Sequence, residues 1–180
     1  ALWTEGMDWQ EDYWEDCGMK IKILIAFFVF IINAYSYADC YDGSSFNDCV
    51  SEAQQGNAYS QYLVGYSYHT GRGVSKNYSK AIYWYKKSAK NQNAMAQSNL
   101  GLLYYSGNGV DKDLYKAVYW FTKAAEQGNS QAQNNLAESY YLGEGVQKSM
   151  KDALKWFQRA ADQGNKQAAQ NARALRKQGY

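Results

Sequence analysis

A group of residues recurs at a fixed interval of 36 positions through most of this 180-residue chain. The interval holds for a tryptophan, an alanine, two glycines and a valine in each unit. The series are Trp84, Trp120 and Trp156; Ala81, Ala117 and Ala153; Gly71, Gly107 and Gly143; Gly73, Gly109 and Gly145; and Val74, Val110 and Val146. A period of this length is typical of solenoids, in which each unit buries its apolar face against its neighbours. We therefore predict a stack of small units.

Each unit is predicted to contain two helices. In residues 94–129 the first helix runs from Ala94 to Ser106 and ends at the glycines that follow, because glycine adopts left-handed backbone angles without steric cost. The second runs from about Asp113, a suitable N-cap, to Gln127. We expect core positions at Ala96, Leu100 and Tyr104 in the first helix, and at Ala117, Trp120 and Ala124 in the second. One tryptophan per unit is expected to fill the space between layers.

The repeated residues also resemble a known family. The pattern stands as Leu100-Gly101, Tyr104, Gly107, Gly109-Val110, Ala117, Trp120, Ala124-Ala125 and Gly128. It is similar to the Sel-one-like repeat (SLR), a relative of the tetratricopeptide repeat. The resemblance implies an all-α fold, a right-handed α/α superhelix of antiparallel helix pairs. It also implies a non-catalytic scaffold that binds proteins or peptides, often in bacterial envelopes; some members resemble immunity proteins, and a few have been linked to penicillin-derived ligands.

The predicted organisation has three full units with a partial unit at each end. The full units are repeat 1 (58–93), repeat 2 (94–129) and repeat 3 (130–165). A half-repeat (39–57), with a helix from Phe46 to Gly56, precedes them, and a capping helix (166–180), centred on Lys166–Lys177, follows. A polar outer face on the last helix is what a terminal cap requires.

Residues 19–38 have the pattern of an export signal. Met19 and two lysines precede an apolar run from Ile23 to Ile32, and small residues follow at Ser36 and Ala38. The run is shorter than the about 20 residues that a transmembrane helix needs. We expect cleavage after Ala38, no stable membrane span, and a periplasmic or secreted product. Residues 1–18 carry six acidic residues and no basic one, so we interpret them as an extraneous upstream segment.

Charge and cysteine content change once the chain is divided in this way. The whole chain carries a formal charge of +2, whereas residues 39–180 contain 17 Lys and Arg against 11 Asp and Glu. That excess is spread over the repeats and does not favour nucleic acid as a partner. Cys40 and Cys49 are expected to form a disulfide in an oxidising compartment; two buried free thiols are the alternative.

Catalytic chemistry finds little support in these residues. The single histidine, His69, occupies a place where the other repeats have tyrosine, and we expect it to be a packing or binding residue. One histidine and three cysteines exclude multi-histidine metal sites, and no cofactor is expected. We therefore predict no catalytic residues and no metal ligands. The alternative is an envelope hydrolase or penicillin-interacting protein of the β-lactamase-like repeat type.

A binding surface is predicted on the first helix of each repeat, on the face turned away from the second helix. Spacings of three and four residues place these positions on one face of each helix. The resemblance to tetratricopeptide-like stacks implies that this face lines a concave groove. The positions differ between repeats, as a specific binding surface would. The predicted residues are Tyr59, Tyr62, Tyr66, His69, Met95, Leu102, Tyr105, Asn134, Glu138 and Tyr141. We expect a monomer that holds a protein or peptide partner in this tyrosine-rich groove; alternatively, Tyr59 and Tyr62 merely pack on the preceding helix.

Overall fold

The computed structural model describes residues 46–180, which form eight α-helices and no β-strand in that range. Each helix packs mainly against the helices before and after it in the chain, which confirms an all-α array of helix pairs. The helices are α1 (Phe46–Gln54), α2 (Ala58–Thr70), α3 (Tyr78–Lys90), α4 (Ala94–Ser106), α5 (Leu114–Glu126), α6 (Ser130–Leu142), α7 (Met150–Asp162) and α8 (Lys166–Lys177).

The helix ends predicted in repeat 2 are confirmed. Helix α4 spans Ala94–Ser106, and the side chain of Asp113 caps α5 by accepting a hydrogen bond from the Lys116 backbone N–H. Gly107 follows α4 with a φ of 74°, a left-handed angle that glycine adopts without strain. The first helices and α8 share an asparagine N-cap, which accepts from backbone N–H groups of the first turn; the caps are Asn57, Asn93, Asn129 and Asn165.

The repeated tryptophan fills the core in repeat 1 only. Trp84 is 8% exposed and packs among Cys49, Ala53, Leu63 and Val64, whereas Trp120 and Trp156 are only partly buried and the residue after each of them lies deeper in the core. Tyr85, Phe121 and Phe157 are at most 2% exposed. The other predicted core positions, Ala96, Leu100, Tyr104, Ala117 and Ala124, are all buried. The tryptophan prediction is thus confirmed in repeat 1, while in repeats 2 and 3 the tryptophan packs against the edge of the core and the phenylalanine that follows it fills the interior.

A close helix contact explains the glycine of the first helix. A Cβ atom built on Gly101 would lie 2.5 Å from the Phe121 ring, and one on Gly65 would lie 2.7 Å from the Tyr85 ring. The missing side chain therefore lets the first helix approach the aromatic residue of the second.

Buried glutamines connect each repeat to the one before it. The Gln61, Gln97 and Gln133 side chains donate hydrogen bonds to the carbonyls of Ala53, Ala89 and Ala125, at 3.0, 3.2 and 3.1 Å. These bonds satisfy both the buried amides and carbonyls near the preceding helix C-terminus.

Several predictions concern residues outside this description. The upstream segment 1–18, the signal peptide 19–38 and Cys40 lie outside the described residues. Cys49 is buried against Ala53, Leu63 and Val64, and its pairing with Cys40 stays a prediction. None of the helices between residues 46 and 180 has the length and apolar character needed to cross a bilayer.

Candidate functional site

The predicted groove positions differ in their accessibility. Tyr59, Met95, Tyr105 and Tyr141 are exposed, so a partner could contact them directly. Tyr62, Tyr66, His69, Leu102 and Glu138 are half-buried. Asn134 is only 4% exposed.

Repeat 1 contributes an aromatic surface. The ring centroids of Tyr59 and Tyr62 are 6.0 Å apart, and those of Tyr62 and Tyr66 are 6.1 Å apart. Tyr62 also stacks on the buried ring of Tyr85 at 6.1 Å. This row therefore follows the length of α2 and continues into the core, which anchors the half-buried members while Tyr59 remains open to solvent.

A polar contact lies beneath the aromatic surface, at the hydroxyl of Tyr85. Asn99 Nδ2 donates to Tyr85 Oη at 3.2 Å, and His69 Nδ1 lies 3.3 Å from the same oxygen. Burial, followed by the neighbouring Tyr62, raises the pKa of Tyr85 well above its usual range. Burial and then Lys76 lower the pKa of His69. A neutral His69, packed on Tyr78 at 5.6 Å, suits the packing or binding role predicted for it.

Two cavities lie along the first helices of repeats 2 and 3. One of about 80 Å³, between these two repeats, is lined by Leu102, Tyr105 and Glu138. A second of about 270 Å³, between repeat 3 and the capping helix α8, is lined by Glu138 and Tyr141 from repeat 3 and by Asn171 and Leu175 from α8. The Tyr105 hydroxyl donates a 2.8 Å hydrogen bond to Glu144, which is the main reason that the pKa of Tyr105 is raised. The structure thus brings four predicted residues to two adjoining cavities that share Glu138.

Two buried amide atoms in this region have no hydrogen-bond partner among residues 46–180. They are the Asn134 Oδ1 acceptor and the Asn135 Nδ2 donor. The other half of the Asn134 amide donates to Glu138 at 2.9 Å, and Asn135 lines the smaller cavity. A buried polar group without a partner is costly, so these two atoms are a local cost to the stability of repeat 3.

Sequence reasoning missed an asparagine series on α4, α6 and α8. Asn99, Asn135 and Asn171 recur at the 36-residue interval. Asn99 contacts Tyr85, while Asn135 and Asn171 each line one of the two cavities. The 36-residue period contained this signal. The binding surface was predicted from positions that vary between repeats, and this repeated asparagine position was therefore not among them.

No group of three or more His, Cys, Asp or Glu side chains suitable for a metal ion occurs in the described part of the chain.

The three repeats match the model of a known protein family. The Sel1 repeat model matches residues 58–93, 94–129 and 130–165, the three units that the period defines. The chain belongs to the Sel1 repeat family. Proteins of this family are generally scaffolds for protein interaction and are typically not enzymes.

Solved structures of Sel1 repeat proteins are similar to this one. The protective antigen c5321 of uropathogenic Escherichia coli, which displays an SLR fold, is 34% identical with a TM-score of 0.69; the match covers 73% of this chain and 30% of that chain. A Sel1 repeat protein from Oxalobacter formigenes is also 34% identical, with a TM-score of 0.66, over 71% and 96% of the two chains. This Sel1 repeat protein thus spans under a third of the length of c5321.

A more distant structure supports the fold alone. Helicobacter pylori cysteine rich protein B is 23% identical, with a TM-score of 0.59, over 71% of this chain and 94% of that chain. These likenesses confirm the α/α superhelix predicted for this Sel1 repeat protein. No curated protein sequence matches the chain.

Proposed function

We propose that this Sel1 repeat protein is an exported, non-catalytic scaffold that binds an extended segment of a partner protein in the groove formed by its first helices. Immunity against a secreted toxin, or capture of another effector in a bacterial envelope, is the role that we attach to this binding. The proposal rests chiefly on the contrast between the repeated core and the varied, accessible groove positions.

That contrast is clear in the exposed residues. Core alanines and glutamines recur in every repeat, because the fold requires them. Tyr59, Met95 and Gln131 occupy equivalent positions on the first helices, yet all three are exposed and chemically different. Packing does not require this variety, whereas discrimination between partners does.

Asparagine side chains supply a second reason. Each amide carries both donors and an acceptor, and so matches the N–H and C=O groups of an extended peptide. Asn135 and Asn171 line adjoining cavities, and the side-chain oxygen of each accepts a hydrogen bond from a glutamine one turn earlier on its helix, which orients the amide. A peptide backbone along this row would contact these amides, while the tyrosines supply rigid contact area with little loss of entropy.

The binding experiment uses three exposed groove tyrosines. Peptides are selected from a random display library against the full-length protein, and their affinity is then measured by calorimetry. We expect the Tyr59→Ala, Tyr105→Ala, Tyr141→Ala triple variant to lose at least tenfold in affinity, because truncation of a well-packed interface tyrosine commonly costs more than about 1 kcal/mol.

A matched control comes from the second helices, where three other tyrosines are exposed. The Tyr83→Ala, Tyr115→Ala, Tyr119→Ala variant removes the same side chains from the opposite face and should bind the peptides as the wild type does. Equal affinity of the wild type and the groove variant, with both variants fully helical, would refute the groove proposal.

Export is supported by the signal-peptide pattern of residues 19–38 and by Cys40 and Cys49, which are expected to pair in an oxidising compartment. The relative c5321 is a protective antigen, which fits the same proposal. Mass spectrometry of the protein recovered from the periplasm or medium should give an N-terminus at Asp39. Recovery in the cytoplasm with residues 19–38 intact would contradict export and leave the groove proposal untouched.

A further inference from the structure

Positive charge is concentrated in one repeat. Repeat 1 contains six Lys and Arg residues and no Asp or Glu. Repeats 2 and 3 are each balanced, with three of each sign in the former and four in the latter. The fold does not require this asymmetry, because all three repeats build the same helix pair.

Part of this charge lines an open cavity of about 670 Å³ between the second helices of repeats 1 and 2. Lys86 and Lys90 extend into it from α3, and Lys123 from α5. Within residues 46–180 none of these three ammonium groups has a carboxylate within 4 Å. Glu126, at the same cavity, is the one acidic residue among its lining side chains. The cavity therefore presents uncompensated positive charge.

Exposed tyrosines lie on the same two helices as these lysines. Tyr119 lines the cavity with the Lys123 ammonium 5.8 Å from its ring, and the Tyr83 ring has the neighbouring Lys87 ammonium at 4.7 Å. Tyr83 and Tyr119 are 52% and 53% exposed, and Tyr115 is 80% exposed. The rings of Tyr83 and Tyr119 meet Trp84 and Trp120 edge to face at 5.2 and 5.0 Å, which holds them in place. We call Lys86, Lys90, Lys123, Tyr83 and Tyr119 the outer patch.

Equivalent positions show that the outer patch is specific to this end of the array. Lys86 corresponds to Thr122 and Gln158, and Lys90 corresponds to Glu126 and Asp162. Repeat 3 places Lys155 where repeats 1 and 2 place Tyr83 and Tyr119. The position of Lys123, by contrast, is basic in every repeat, as Lys87 and Arg159. Since repeats 2 and 3 fold without a lysine at the positions of Lys86 and Lys90, these two lysines call for a reason other than stability.

We propose that the outer patch binds the anionic phospholipid headgroups of a membrane surface. Lysines close to such a surface are attracted by its negative potential, and tyrosine rings favour the boundary between headgroups and acyl chains. The lysine-only composition does not favour nucleic acid, for which arginine is the more usual base-reading and phosphate-binding residue. Binding on the outer side leaves the groove of the first helices free for its partner.

Vesicle sedimentation tests the proposal with the mature protein that begins at Asp39, because the basic and apolar residues 19–38 would themselves bind anionic vesicles. Vesicles of phosphatidylcholine alone are compared with vesicles that also contain phosphatidylglycerol, at low and high salt. We expect binding to the anionic vesicles only, and weaker binding at high salt. The Lys86→Gln, Lys90→Gln, Lys123→Gln variant should lose about 100-fold in partition coefficient, since each lysine near an anionic surface contributes roughly a factor of five.

The matched control removes three exposed charges from the same side of repeat 3, as Lys151→Gln, Lys155→Gln, Arg159→Gln. This variant should retain most of the binding, and Tyr83→Ser, Tyr119→Ser should reduce it with the charge intact. Equal losses in the two charge variants would overturn the proposal, because they would indicate a general charge effect. Tighter binding to a single-stranded DNA oligonucleotide than to anionic vesicles, dependent on the same lysines, would also overturn it.

Discussion

Trp120 and Phe121 are adjacent aromatic residues of α5. Truncating Phe121 should lower the free energy of unfolding more than truncating Trp120, although tryptophan is the larger side chain. Phe121 is 1% exposed and packs in the central core, so Phe121→Ala leaves a cavity there and should cost about 3–5 kcal/mol of unfolding free energy. Trp120 is partly buried and lines the open cavity between α3 and α5, where water can replace its side chain. Trp120→Ala should therefore cost roughly half as much, although it removes the larger side chain.

Urea denaturation followed by circular dichroism measures both costs, with Thr122→Ala as a control at the next position. At this chain length the Phe121 variant should melt roughly 10–15 °C below the wild type. A Trp120 variant that is less stable than the Phe121 variant would refute the assignment of the core to the residue after the tryptophan.

Two further predictions concern a helix cap and a titrating group. Asn129→Ala removes the acceptor of the Ala132 N–H at 2.8 Å and should cost about 1 kcal/mol in urea denaturation, whereas Asn129→Ser, which keeps a capping oxygen, should cost less; equal losses would contradict the capping role. The pKa of His69 is lowered in the folded state, so the unfolded chain takes up the proton first as the pH falls. The stability that His69 contributes is thus complete above about pH 6.5 and declines as the pH drops through its folded pKa. His69→Tyr, which introduces the residue of the other repeats, should flatten that decline in melts from pH 7.5 to 5; an unchanged slope would contradict it.

The 36-residue period of the sequence was sufficient to predict the array of helix pairs and the boundaries of its helices. Gly107 after α4 and Asp113 before α5 are local signals. The glycine ends its helix through a left-handed backbone angle, and the aspartate side chain caps the start of the next one, so neither depends on distant residues. The predicted Ala94–Ser106 and Lys166–Lys177 helices therefore agree with the structure.

Side-chain packing was harder to predict. Trp120 and Phe121 are adjacent on the helix, and the choice between them depends on the approach of Gly101 from another helix, which periodicity does not contain. The contact between Asn99 and Tyr85 likewise joins two repeats, and it exists only because repeat 1 has tyrosine where repeats 2 and 3 have phenylalanine.

Tyrosine footprinting by hydroxyl radicals, with and without a selected peptide, tests the central claim most directly. The two faces of the array carry separate exposed sets: Tyr59, Tyr105 and Tyr141 on the first helices, and Tyr83, Tyr115 and Tyr119 on the second. Binding in the groove predicts that the first set becomes protected while the second keeps its reactivity. Protection of the second set, with the first unchanged, would contradict the account.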